Sequence, residues 1–204
     1  MTTPEFLPDH ENPRSPGRPR SSATDQAILE NALRLFVEQG CAAMSVEAVA
    51  AAAGVTKPTI YRRYPSKREL VGAAIISYVD TFELPPDSGS IRSDMLNYFG
   101  RVYTGTQINV ASIIGAMIVS EREEPALMDL LREQVISPRV QIAGELFRRG
   151  MQRGEIRSGI PIKIVSQMMI GSLIARHMWG EPEDETWLES LVDTLLQGLL
   201  VRPQ

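Results

Sequence analysis

Residues 54 to 70, Gly-Val-Thr-Lys-Pro-Thr-Ile-Tyr-Arg-Arg-Tyr-Pro-Ser-Lys-Arg-Glu-Leu, gather side chains that suit a duplex nucleic acid. An arginine can donate two hydrogen bonds to guanine O6 and N7, a threonine methyl can meet the thymine methyl, and a tyrosine hydroxyl can reach a phosphate. Those donors must share one face of a helix that fits the major groove. Stepping about 100° per residue from Ile60 as the buried anchor points Pro58, Thr59, Tyr61 and Arg62 outward and turns Tyr64 back towards the core. The bland alternative is a surface helical hairpin with solvated charges. Two tight helix junctions, an inward Ile, an outward Arg and a capped following helix occur together here, which favours helix-turn-helix geometry.

The flanking residues supply the junctions. Gly54 follows the apolar helical run Val46, Val49, Ala50 and Ala53 and can take the left-handed conformation that ends a helix. Thr56 is placed to cap the next helix, its hydroxyl accepting from a free backbone N–H, and Pro58 fits the first turn. Pro65 stops that helix, and Ser66-Lys67-Arg68-Glu69 reads as a capping box for its successor. Lys67 would then sit at a positive helix N-terminus, where a phosphate binds well. Upstream, Ile28, Leu29, Ala32, Leu33, Leu35 and Phe36 form the stripe of a first helix from about Thr24 to Gln39.

Thr24 to about Asp80 resembles the DNA-binding domain of the TetR (tetracycline repressor) family of bacterial regulators. The resemblance rests on Leu35-Phe36-Val37-Glu38-Gln39-Gly40 ending a helix, Ser45-Val46 opening the second, and then Gly54, Val55, Thr56, Thr59, Ile60, Tyr61, Tyr64, Ser66, Lys67 and Leu70 at the signature spacing. It implies DNA contacts from Lys57, Pro58, Thr59, Tyr61, Arg62 and Lys67, with Arg63 beside them. The second-helix position that carries a base-reading arginine in some members is Glu47 here, an acid that can accept from a cytosine amino group.

Net charge is −4, which alone would speak against a DNA binder. Residues 12 to 72, however, hold nine bases and five acids, whereas residues 83 to 204 hold 12 bases and 16 acids. The field is polarised, drawing DNA to one end of the molecule. Before the first helix lies a polar, proline-rich stretch ending Arg14-Ser15-Pro16-Gly17-Arg18-Pro19-Arg20. Arg18 and Arg20 form a candidate minor-groove arm, with an ordinary soluble tail as the alternative.

Other function classes find little support. The single Cys41 excludes an intrachain disulfide and reads as a small buried packing residue. His10 lies in the tail and His177 among apolar residues, so no nucleophile, base and orienting set emerges; no phosphate loop or metal-spaced cluster appears either. No cofactor and no metal are expected. Without a signal-peptide core or a long apolar run, the expected location is cytoplasmic and no membrane partner is expected.

The run Leu84-Pro85-Pro86-Asp87-Ser88-Gly89 marks a domain boundary. Beyond it the pattern predicts helices over about 90–104, 107–120, 125–153 with a break allowed at Ser137-Pro138, 161–179 and 183–201. This half resembles the helical C-terminal half of the same family more loosely, through helix order and the turn from Arg149 to Arg157. The last two helices are apolar on more than one side, which favours burial against a second copy, with the centre of a monomeric bundle as the alternative. Met168, Ser172, Ala175, Leu188, Leu191 and Leu195 are the candidate interface. The family further implies a cavity for a small effector, with Met95, Tyr98, Phe99, Val102, Tyr103, Ile113, Met117, Phe147 and Met151 as candidate walls.

The expected protein is therefore all-α, with about nine helices: a flexible basic arm over 1–20, a helix-turn-helix three-helix DNA-binding domain over 21–82, and a larger helical ligand-binding and dimerisation domain over 83–204. The expected role is that of a dimeric repressor bound to a palindromic operator in double-stranded DNA and released by a small, largely apolar effector. An activator or effector-independent regulator stays open, as do a helical interaction adaptor and an enzyme.

Overall fold

Capping chemistry sets the helix boundaries. The computed structural model describes residues 22–80, 83–104 and 108–199. Helix α1 runs Ser22–Ala43 with a kink at Gly40, whose φ of 76° is open to glycine without strain. Ser45 caps α2 (Val46–Ala52) by accepting from the Ala48 N–H at 3.0 Å. At the far end Gly54 has φ 65°, its N–H bonds Ala51 O, and the Val55 N–H reaches back to Ala50 O at 2.9 Å. That double closure lets α3 (Lys57–Tyr61) start within a few residues. In α4 (Lys67–Val79) the Ser66 hydroxyl accepts from the Glu69 N–H and donates to the Glu69 carboxylate, both at 3.1 Å. The forward half of the capping box is present, and the Glu69 carboxylate returns to the Ser66 hydroxyl in place of its backbone N–H.

Six further helices complete the chain: α5 (Ile91–Thr104), α6 (Val110–Glu121), α7 (Pro125–Leu131), α8 (Ser137–Gln152), α9 (Ile162–Met178) and α10 (Glu185–Leu199). A π-helical turn, Arg132–Ile136, joins α7 to α8. Taken as one bent rod, α7 to α8 brings the total among the described residues to nine helices, with no strand element. Ser137-Pro138 does not break this rod. Proline lacks the N–H and crowds the preceding turn, and the wider π turn absorbs it: the Ser137 N–H and hydroxyl both return to Arg132 O. The expected arm with Arg18 and Arg20, His10, Phe82 and Val201 lie outside the described residues.

Two apolar clusters hold the fold. The first joins Ile28, Phe36, Ile60, Leu70 and Ile75 of the N-terminal helices to Ile113 and Met117 of α6 and to Leu127, Leu131 and Val135 beyond. The second packs α5, α8, α9 and α10 through Met95, Phe99, Phe147, Met169, Leu173, Leu188 and Val192. Each fully buried side chain of this size stabilises the fold by about 1.5–3 kcal/mol. Because α1 lies on α6 and α4 on α7, the N-terminal helices share their core with the following region. Cys41 is buried, as its apolar neighbours require, and burial pushes its thiol pKa up.

The proline linker is tied down. Asp94 is fully buried at the start of α5 and accepts from the Ser88 N–H at 2.9 Å, the Ser88 hydroxyl at 2.6 Å and Arg153 at 3.2 Å. Burial alone would raise the Asp94 pKa, but these donors hold it below the ordinary value. Arg153 also bonds Asp87 at 2.6 Å and pairs with Glu155, while Arg149 donates to Pro85 O at 3.0 Å. The linker is thus clamped to the C-terminal end of α8.

Candidate nucleic-acid interface and cavity

On α3, Ile60 is completely buried and carries the helix on the first cluster. This leaves Pro58, Tyr61 and Arg62 exposed and Thr59 half-buried, the outward set expected from helical spacing, with Lys57, a contact the resemblance implies, exposed beside them. Thr56 occupies the N-cap position without the expected side-chain cap. Its hydroxyl meets the Thr59 hydroxyl at 3.0 Å instead, and the Thr56 carbonyl accepts from Thr59 N–H at 2.9 Å.

Three basic residues have protein partners. Lys57 pairs with Glu47 of α2 and lies 5.6 Å from the Tyr61 ring centroid. Hydrogen bonding to Lys57 lowers the Glu47 pKa, and the same bond raises that of Lys57. Arg63, expected beside the DNA-facing set, lies past the end of α3 and turns to Asp25 of α1 at 3.0 Å. Lys67 donates to Ala42 O at 2.9 Å and Met44 O at 3.2 Å, closing the negative C-terminal end of α1. An ammonium has three donors, so one is left for a phosphate.

A cavity of about 410 Å³ opens among α4 to α9. Of the expected walls, Tyr98, Phe99, Val102, Ile113 and Met117 line it. Met95, Tyr103, Phe147 and Met151 do not. They pack within the second cluster away from the void, where Tyr103 sits 5.6 Å from Phe99 and 5.7 Å from Trp187, centroid to centroid, while Tyr98, Phe99 and Val102 serve cluster and cavity alike. Apolar residues spread over more than half of α5, and only packing decides which of them face the void. Missed from the sequence were Ile75, Tyr78 and Val79 on α4, Arg139 and Val140 on α8, and Ser166, Gln167 and Ile170 on α9. One signal was available: Val135, Arg139 and Ala143 recur at helical spacing, putting a cation on an apolar stripe.

Among the candidate interface residues, Met168 is 54% exposed, and Ser172, Ala175, Leu191 and Leu195 are half-buried. Leu188 is a correction: at 3% exposure it is spent inside the chain's own core, against Gly100 of α5. Ile164 at 51% and Met178 at 79% extend the exposed apolar edge of α9. No helix among the described residues is long and apolar enough to cross a membrane.

A short outward helix on a helix-turn-helix head, with a helical body sharing its core, is the architecture of a DNA-binding transcriptional regulator. Residues 28–74 match the family model described as bacterial regulatory proteins, tetR family, and residues 85–195 match that of the tetracyclin repressor-like C-terminal domain. The chain belongs to the TetR family. It is 33% identical over 197 residues to the uncharacterized HTH-type transcriptional regulator Rv1556 of Mycobacterium tuberculosis, covering 96% of this chain and 95% of that protein. The DNA-binding transcriptional repressor TetR of Mycobacteroides abscessus is 27% identical, over 90% of this chain and 97% of its own. Among solved structures, the TetR family transcription regulator SCO0332 superposes with a TM-score of 0.61 at 26% identity, covering 89% of this chain and 100% of that one. A Saccharomonospora viridis regulator in complex with choline gives 0.67 at 17% identity, over 89% of this chain and 100% of its own.

Proposed function

We propose that this regulator is a homodimeric repressor that binds a palindromic operator through α3 and is released when a small molecule fills the cavity. The observation that carries the reading is the shared wall: Ile75, Tyr78 and Val79 belong both to the cavity and to α4, the helix that follows and supports α3. A ligand in the void would press on the element that sets the position of the recognition helix. Arg62 and Thr59 then read base edges, Lys57, Tyr61 and the third donor of Lys67 meet phosphates, and Pro58 packs against the groove wall. Arg63 acts as a brace to Asp25, and Arg18 and Arg20 reach the minor groove from the arm.

The head comprises 21–82 and the effector and dimerisation body 83–204. Ile164, Met168, Ala175 and Met178 on α9, joined by Leu191 and Leu195 on α10, supply the apolar edges of a two-helix-per-subunit interface. The repressor named above in Mycobacteroides abscessus and the choline-bound Saccharomonospora viridis regulator support the two halves of the reading by likeness. The protein acts in the cytoplasm.

Selection of bound sequences from random duplex DNA tests the proposal. The expected product is an inverted repeat with half-site centres about 10–10.5 bp apart, or a multiple of that. A single asymmetric site, or no enrichment, would overturn it.

A further inference from the structure

The cavity is apolar on nearly every side, yet among its described lining residues Arg139 carries the only charge. Its side chain is about four-fifths buried, and its guanidinium pairs with Asp80 at 2.9 Å and lies beside the Tyr98 hydroxyl. A cation at an apolar wall has to keep an anion close, since an isolated buried charge is strongly disfavoured. Asp80 meets that need from outside: its side chain is 64% exposed, and it is the C-cap residue of α4. An acid at a helix C-terminus is opposed by the helix dipole, a cost that the Arg139 pair offsets and that water screens when the pair is open.

We infer that the cavity takes an amphipathic carboxylate, whose apolar body fills the void and whose carboxylate replaces Asp80 on Arg139. Asp80 returns to water, which its exposure makes easy. The guanidinium exchanges one carboxylate for another in a geometry suited to two parallel N–H···O bonds. The exchange frees the end of α4 from α8, so ligand binding and loosening of the DNA-bearing helices become the same event. This deepens the effector-release reading and rests on it for its consequence, although not for the ligand class itself.

Titration calorimetry with decanoate and 2-naphthoate, set against decan-1-ol, 2-naphthylmethanol and decyltrimethylammonium, tests the proposal. The acids are expected to bind about 10- to 150-fold more tightly than the matched alcohols. Arg139→Met should abolish that preference while alcohol binding persists, which shows that the cavity is intact. Asp80→Asn should tighten acid binding by removing the internal competitor. Equal affinity of acids and alcohols, preference for the ammonium compound, or failure of both acids to bind overturns the proposal. Operator binding measured alongside separates the two readings. Acids that bind through Arg139 yet leave operator affinity unchanged uphold the ligand class and sink effector release; release by an alcohol or the ammonium compound alone does the reverse.

Discussion

Replacing Glu47 with glutamine removes a negative charge from the DNA-facing side and keeps the shape of the side chain. In the free protein that carboxylate holds Lys57, an outward residue of α3, and the two side chains are 62% and 46% exposed. A pair this open to water leaves folding unchanged on removal, so the variant isolates the DNA effect. With the internal acceptor gone, Lys57 is fully available to phosphate. Each phosphate contact steepens the dependence of log K on log salt by about 0.9, so the two copies in a bound dimer steepen it by about 1.8. Between 200 and 50 mM salt this amounts to roughly a 12-fold larger gain in affinity than the parent protein shows. Fluorescence anisotropy on one operator across that range, with melting curves as the folding check, measures it. An unchanged slope would show that the Glu47 pair does not hold Lys57 back from the backbone. A loss confined to a C·G pair at one position would show instead that Glu47 reads cytosine.

Arg62→Ala should flatten preference at one base pair per half-site, losing roughly 5- to 150-fold on the preferred operator; equal losses on every sequence would contradict base readout. Met117→Trp, which fills the cavity from its α6 wall, should lower operator affinity by about 5- to 150-fold with helix content unchanged by circular dichroism, and intact operator binding by this variant would rule out coupling. Gly150→Ala places a Cβ 3.1 Å from Ile91 Cβ and Cγ1, a β-branched side chain with little room to move, so urea unfolding should show a loss of about 1–3 kcal/mol despite alanine's better helix propensity. Asp94 has a folded pKa below its unfolded value near 3.8, so its contribution is complete above that value and is lost as pH falls through the lower one. Asp94→Asn should remove that acid limb from the stability profile and lower stability at neutral pH.

The sequence by itself determined the head. Ser45, Gly54, Pro58, Pro65 and Ser66 place helix ends through contacts within a few residues of themselves, and the outward face of α3 follows from one buried Ile and a fixed rotation per residue. Local chemistry of that kind is complete in a short window of the chain. It could not say that Lys67 reaches the end of α1, or that Arg63 turns to Asp25, because those partners lie at least 23 residues away. The body was legible only as helices. Which side of α5 faces a void and which faces α10, why Leu188 is used up inside the chain's own core, and how Arg139 comes to stand at the cavity wall against Asp80 depend on where other helices pack. Apolar side chains are interchangeable to a pattern of spacing, and only the tertiary structure assigns each one a neighbour.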